Sequence, residues 1–381
     1  MGVEVGVTNK KILFGTFQDL SGPTTYHGIM IKSILSVWKK WVNDDLRGIH
    51  GRKVDFVVED NKYDPVLTKK AFNKLIKDHK VFAIISVYGS SPCTMILEDI
   101  QREKIPVFTT AAITSKMFDP PKRYLFWYAC SDEDNGIMML DYIVNDLKIK
   151  NPRIGIIYQD DEYGKSALKG VNIGAKEYGF SVTAAGYKRN SDKVQTHVRK
   201  MKAKRVTHCF FAGFAPVYVN LLREADSVGW KPIFFCDFGS VDPMIFITGK
   251  LAHGHYHFIN IAMREERVPG WIKLEKLFIE KLGAEAAGGI MNYHLLPMIW
   301  VPLSFLTQAL QDVGPNLKRE KLIDALESIK DFDTGGLGHI EFAQNLRKGT
   351  HKYRIMKCDS EKKIFIPVTD WRQPSLIWGE R

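Results

Sequence analysis

Ile154–Tyr187, IGIIYQDDEYGKSALKGVNIGAKEYGFSVTAAGY, is the stretch whose reading decides the fold. Ile154–Tyr158 is a short apolar run of strand character. Tyr163–Tyr178 reads as an amphipathic helix, and Phe180–Tyr187 as a second strand. The rhythm continues downstream through a Val194–Met201 helix, a Val206–Phe211 strand, a Val217–Val228 helix and an Ile233–Cys236 strand. Upstream the same alternation runs once already. A strand over Ile12–Phe17 leads into a turn at Ser21-Gly22-Pro23. A helix then carries Ile31, Ile34, Leu35, Trp38 and Val42 at the 3.6-residue period until Gly48 and Gly51 stop it. Val54–Val58 is the next strand, and Pro65 opens a helix with Ala71, Leu75 and Ile76. Val81–Val87, a helix of Ile96, Leu97 and Ile100, and the strand Ile105–Phe108 complete the series.

Apolar strands alternating with amphipathic helices predict parallel sheets covered on both faces. Two such series predict an α/β protein of two doubly wound lobes, with ligands bound outside the carboxyl ends of the strands. Trp271–Ile329 reads as helical and the tail from Gly338 as short strands, and neither completes a domain alone. The helices are assigned back to lobe 1 (10–128 and 253–332) and the tail to lobe 2 (129–252 and 333–372). The ligand cleft is expected between them, across a hinge that the chain crosses several times.

The 381 residues suit two domains. No apolar run reaches 18 residues, and the longest, around Leu295–Leu306, is broken by Pro297, Pro302 and Ser304. A net charge of +11 raises nucleic acid as a partner. Yet the densest basic cluster, Lys188–Lys204, carries Val194, Val198 and Met201 at helical spacing, which makes it a solvated helix face. No nucleic-acid partner is expected. Cys93, Cys130, Cys209, Cys236 and Cys358 lie far apart without a C-x-x-C pair, so they read as buried small hydrophobes. Met1–Lys10 shows no apolar secretory core.

Several catalytic and metal patterns fail. Asp161–Ser166 resembles the end of a phosphate loop, but Gln159 stands where its first glycine is needed, leaving a strand-to-helix turn. No G-x-G-x-x-G or G-x-S-x-G is present. His253, His255 and His257 alternate as on one strand face but lack a fourth ligand, so no metal or cofactor is expected. Asp132, Glu133 and Asp134 read as acids stabilising a helix start. What remains is binding chemistry. Tyr88-Gly89-Ser90-Ser91-Pro92 lies where a strand ends and a helix begins, a place where hydroxyls and amides can seat a carboxylate. Thr109–Ser115 ends the next strand with further small and hydroxylic residues.

Nearly the whole chain resembles the branched-chain amino acid binding proteins, the type I periplasmic solute receptors of ABC importers. The likeness is carried by Asp19–Pro23 with Tyr26 and Gly28, Ile49–Lys53, Glu59–Pro65, Tyr88–Ser91, Ala111–Lys116, Tyr158–Gly164 and Ser227–Pro232. The opening Gly6-Val7-Thr8 is similar to the start of mature receptors, which implies a periplasmic protein whose export signal has been removed. The resemblance implies that Gly89, Ser90, Ser91 and the loop of Ala111, Ala112 and Thr114 hold a ligand carboxylate. It places Tyr26 and Tyr163 on opposite flanks, with Phe214 and Phe238 completing the pocket from lobe 2. The acidic side chain that takes an ammonium in amino-acid receptors is replaced by Phe238, with Asp237 one residue away as a remaining candidate. A buried ammonium without an anion costs several kcal/mol. The expected solute is therefore a small carboxylate, an aromatic or aliphatic acid without an ammonium, with an amino-acid-like solute left open through Asp237. A monomer working with membrane permease subunits follows from the resemblance. A ligand-sensing module of the same fold and a two-lobed transferase are the alternatives. The transferase would need a metal-binding acid pair or phosphate loop, and the sequence offers neither.

Overall fold

The computed structural model describes residues 4–112, 114–189, 191 and 193–376. By internal contacts the chain divides into two compact units. Unit 1 comprises Met1–Ala112, Lys116–Ala129 and Ile261–Thr350, and unit 2 comprises Ile113–Ser115, Cys130–Asn260 and His351–Arg381. Residues 253–260, expected in lobe 1, thus lie in unit 2, and 333–350, expected in lobe 2, lie in unit 1.

Unit 1 begins with β1 (Lys11–Gln18), α1 (Thr25–Lys40), β2 (Lys53–Asp60), α2 (Pro65–Lys77), β3 (Ala83–Tyr88), α3 (Ser90–Thr94), α4 (Leu97–Glu103), β4 (Val107–Ala111) and β5 (Leu125–Trp127). The strands form a parallel sheet in the order β2-β1-β3-β4-β5. Unit 2 follows with α5 (Asp132–Asp141), β6 (Ile154–Gln159), α6 (Glu162–Glu177), β7 (Val182–Tyr187), α7 (Gln195–Ala203), β8 (His208–Ala212), α8 (Ala215–Ser227), β9 (Ile233–Cys236) and β10 (Tyr256–Ile259). The chain then returns to unit 1 for α9 (Pro269–Leu282), α10 (Ala284–Met291), α11 (Leu296–Asp312) and α12 (Arg319–Ser328), and ends in unit 2 with β11 (Arg354–Asp359) and β12 (Ile364–Pro367). The second sheet runs β12-β11-β10-β9-β8-β6-β7, parallel except where β11 meets β10 and β12. Strand β10 pairs with β9 on one side and β11 on the other, which fixes 256–259 in unit 2. The tail from Gly338, expected as short strands, forms isolated bridges in its first part, such as Ile261–Gly338, and strands from Arg354 onward.

Counted within each sheet, both parallel arrays have the order 2-1-3-4-5. This arrangement opens a crevice where successive connections leave in opposite directions, between β1 and β3 and between β6 and β8. Local chemistry sets the helix starts there. Asp64 accepts a hydrogen bond from the Leu67 amide at 2.9 Å, with Pro65 beginning α2, and Asp161 accepts from the Tyr163 amide at 3.1 Å to begin α6. The Asp161–Ser166 segment is thus a capped strand-to-helix turn.

In unit 1, Phe14 meets Trp38 and Phe82 edge-on at 5.5 and 6.1 Å. The Trp38 indole donates to Thr307 Oγ1 at 2.9 Å, tying α1 to α11. Helix α11 holds the longest apolar run of the sequence, and that run is buried within unit 1. Among the described residues no single helix is long and apolar enough to cross a membrane. In unit 2, α5 and α6 touch backbone to backbone. A Cβ on Gly136 would lie 2.3 Å from the Val171 nitrogen, and one on Gly170 would lie 2.4 Å from the Glu133 carbonyl oxygen.

Candidate functional site

Unit 1 presents its candidate residues at the ends of β1, β3 and β4. Two carboxylates lash the loop after β1. Asp19 accepts from the Gly22 and Thr24 amides at 2.5 and 2.6 Å and from Thr24 Oγ1 at 2.8 Å. Asp60 accepts from the Leu20 amide at 2.9 Å and Ser21 Oγ at 2.6 Å. This frame sets the start of α1, where Tyr26 is 45% exposed. Its ring meets Tyr293 edge-on at 5.7 Å. Beside it His27 stacks on Tyr88 at 5.2 Å, and its Nδ1 lies 3.0 Å from Tyr293 Oη. Loss of hydration pulls the His27 pKa down to about 4, so this aromatic wall is neutral at physiological pH. The sequence pointed to Tyr26 alone. His27 and Tyr293 are 266 residues apart, and no local pattern links them.

Gly89 has φ +97°, and a Cβ there would sit 2.6 Å from a Tyr63 ring carbon, so the turn into α3 needs glycine. Ser90 is 2% exposed and Ser91 half-buried. Helix α3 is a single turn of five residues, so the expected dipole contribution at its start is small and the hydroxyls and amides remain. Ala111 pairs with Tyr88 at the end of β4. The carbonyl of buried Ala112 accepts a hydrogen bond from the Trp127 indole. Ile113 lies outside the described residues. Thr114, expected to share the Ala111–Ala112 seat, belongs to unit 2, where its hydroxyl donates to Glu162 Oε1 at 2.9 Å.

Unit 2 carries a second patch at the ends of β6, β8 and β9. Tyr163 is buried in the first turn of α6, and its ring lies 5.4 Å from that of half-buried Phe214 at the start of α8. Asp237 and Phe238 are both buried. Asp237 Oδ1 accepts from the Gly239 amide at 3.0 Å and starts a short turn, Phe238–Ser240. Two glycines let hydroxyls in. A Cβ on Gly239 would meet Tyr163 Oη at 2.5 Å, and one on Gly213 would meet Tyr187 Oη at 2.1 Å. Burial pushes the Asp237 carboxyl up to about 7, and the approach of Tyr163 and Asp132 restrains the rise. Asp132 is raised well above the carboxylate range, by burial first and then by the charge of Asp237. Buried Asp132 Oδ2, Asn135 Oδ1, Tyr163 Oη, Tyr187 Oη and Asp237 Oδ2 make no well-formed hydrogen bond among the described residues. Asp237, the acidic candidate that the sequence left beside Phe238, is thus buried next to it and faces Asp132.

The acids Asp132, Glu133 and Asp134 form the first turn of α5, as expected of acids at a helix start, and all three are buried. Glu133 accepts from Ser115 Oγ at 2.5 Å, Ser166 Oγ at 2.6 Å and Ser131 Oγ at 3.1 Å, while Tyr353 Oη donates to Asp134 at 2.7 Å. His255 and His257 are buried, and desolvation lowers each to about 3. His255 Nδ1 lies 2.7 Å from Tyr218 Oη. Among the described residues no group of three His, Cys, Asp or Glu is placed to hold a metal ion.

Comparison with known proteins adds independent evidence. A family model described as periplasmic binding protein matches residues 11–363. An amino acid binding protein of Pseudomonas aeruginosa is 24% identical over 270 residues, covering 71% of this chain and 70% of its own. The Leu/Ile/Val-binding protein of Escherichia coli is 26% identical over 211 residues, covering 54% of this chain; the matched stretch spans little more than half, 56%, of that receptor. Among solved structures, a fatty acid ABC transporter substrate-binding protein from Thermomonospora curvata superimposes with a TM-score of 0.87 at 22% identity, covering 98% of this chain and 95% of its own. A branched chain amino acid ABC transporter protein from Thermus thermophilus with bound valine gives 0.85 at 17% identity over 97% and 98%. A solute-binding protein from R. palustris in complex with 4-hydroxybenzoate gives 0.82 at 18% identity over 97% and 99%. Both sheets, their repeated strand order and the family match lead to one statement: the chain belongs to the periplasmic binding protein family, with the α/β fold of the type I solute receptors.

Proposed function

We propose that this protein is the extracytoplasmic solute-binding component of an ABC importer and captures a small carboxylate-bearing solute without breaking any bond in it. The observation that carries the reading is the Gly89–Ser91 turn. It sets a buried hydroxyl and successive amides at the ends of β1 and β3, beside the aromatic wall of Tyr26, Tyr88 and Tyr293. Ser90, Ser91, Ala111 and Ala112 would hold the carboxylate, while Thr114, Tyr163, Phe214, Asp237 and Phe238 in unit 2 would act on the same solute as the lobes close. The solutes named for structural relatives are valine, a fatty acid and 4-hydroxybenzoate, and each bears a carboxylate. The loaded protein would deliver its cargo, as a monomer in the periplasm, to permease subunits in the membrane.

Native mass spectrometry of protein purified from its host, followed by calorimetric titration of decanoate, 4-hydroxybenzoate, valine and leucine, tests this. We expect at least one acid to bind with a micromolar or tighter Kd, and Ser90→Ala to weaken it at least tenfold, about 1.4 kcal/mol. Methyl esters binding as tightly as the acids, or chemical turnover of the bound solute, would overturn the reading.

A further inference from the structure

Strand β3 contains a defect immediately before the Tyr88–Ser91 turn. Its register against β4 runs Ile84 to Val107, Val87 to Thr109 and Tyr88 to Ala111. One extra residue therefore sits on β3 between Ile84 and Val87, and one on β4 between Thr109 and Ala111. The two bulges compensate, and between them the strand turns its side chains to new faces. Ser86 lies in the first bulge with φ +52°, left-handed backbone that a non-glycine residue adopts at a cost. Such a conformation persists only where neighbours impose it.

The neighbour is Gln18, the last residue of β1, which is fully buried. Its Nε2 donates to the Ser86 carbonyl at 2.7 Å and to Thr16 Oγ1 at 2.7 Å. Its Oε1 and the Ser86 hydroxyl are buried without hydrogen-bond partners among the described residues, so the contact is not one of many redundant bonds. A parallel sheet would leave the Ser86 carbonyl pointing along the ladder, and the glutamine amide gives it another place to go.

We propose that Gln18 is a positioning residue. By holding the Ser86 carbonyl it keeps the strained bulge in place, and the bulge aims Tyr88, Gly89 and Ser90. The inference rests on the reading of that turn as a solute seat, but its structural half can be measured without any solute. Hydrogen exchange of the Val87–Ser91 amides is compared in wild type, Gln18→Met (which keeps the shape and loses the donor), Ser86→Gly (which makes the positive φ free of strain) and the double variant. Decanoate, 4-hydroxybenzoate and leucine are then titrated into each.

We expect Gln18→Met to speed exchange across Val87–Ser91 at least tenfold while exchange in β6 and α6 stays unchanged, and to weaken whichever of the three acids binds wild type at least tenfold. Ser86→Gly alone should raise the Tm and keep affinity within about twofold. The double variant should recover most of the protection and affinity, since glycine no longer needs the strap. A role limited to general packing would give no such rescue. Unchanged exchange in Gln18→Met, or a double variant as impaired as Gln18→Met, would overturn the proposal. Should Gln18→Met fail to fold, a Tm unmoved or lowered by Ser86→Gly overturns it instead. If the exchange results hold while none of the three acids binds wild type, the positioning role stands and the carboxylate reading fails.

Discussion

Replacing Gly170 by valine is expected to cost about 4 kcal/mol and to lower the Tm by roughly 10 °C. A Cβ at this position would stand 2.4 Å from the Glu133 carbonyl oxygen, 2.5 Å from the Glu133 Cα and 2.6 Å from the Asp132 carbonyl oxygen. All three are backbone atoms of α5, so no side chain can swing aside, and the helices must separate. Separation would also pull Glu133 away from Ser166, which sits on α6 and donates to it. A buried carboxylate losing its donors adds to the steric cost. Urea titration monitored by circular dichroism measures the change. Gly288 and Gly289 in α10 serve as controls, because a Cβ on either meets nothing within 4 Å. Alanine there should be neutral or stabilise by up to about 1 kcal/mol through helix propensity. If Gly170→Val proved as harmless as Gly288→Ala, the close packing of α5 on α6 would be wrong.

The second large effect is electrostatic and changes with pH. Asp237 has a folded pKa of about 7, above the ordinary 3.8, because burial disfavours its charge. A carboxyl raised on folding contributes stability that is complete below its unfolded pKa. That contribution is lost as pH rises through the folded value. Ionised at pH 8, the group costs the folded protein on the order of 4 kcal/mol. Asparagine keeps the oxygen that accepts from the Gly239 amide, has no charge to desolvate, and can donate toward Asp132. Asp237→Asn is therefore expected to be about 2–4 kcal/mol more stable than wild type at pH 8, with the difference shrinking to nearly nothing at pH 4. Urea denaturation at pH 4, 6 and 8 follows it. A difference that is constant with pH would show that the carboxyl does not titrate in this window. Carboxylates such as Glu59 and Glu275 resist the burial cost through their cationic partners and have lowered pKa values, so their contributions run the opposite way, lost only in acid. Comparing variant with wild type removes them.

Much of this architecture was legible because its signals are local. Ile154–Gln159, Glu162–Glu177 and Val182–Tyr187 are the three elements that the opening segment announces, and the upstream series repeats them. The hydroxylic strand ends drew attention to the Tyr88–Pro92 and Thr109–Ser115 loops for the same reason, whereas Tyr26 and Tyr163 came from the family resemblance. What stayed hidden depends on distant partners. The run Asp132-Glu133-Asp134 reads in sequence as a helix start, but its burial depends on donors that include the distant Ser115, Ser166 and Tyr353. Nothing about a serine announces the left-handed backbone at Ser86, which a glutamine 68 residues earlier enforces. The boundary after Asn260 depended on β10 pairing in register with β9 and β11, and its histidines gave no hint of that.

The five cysteines are all reduced and buried, and they are divided unevenly: Cys93 in unit 1, and Cys130, Cys209, Cys236 and Cys358 in unit 2. Each thiol meets an alkylating reagent only when its surroundings come apart, so exposure to N-ethylmaleimide turns them into a clock. Opening of unit 1 adds a single adduct to the intact mass and opening of unit 2 adds four, and the ladder of masses shows which half gives way first.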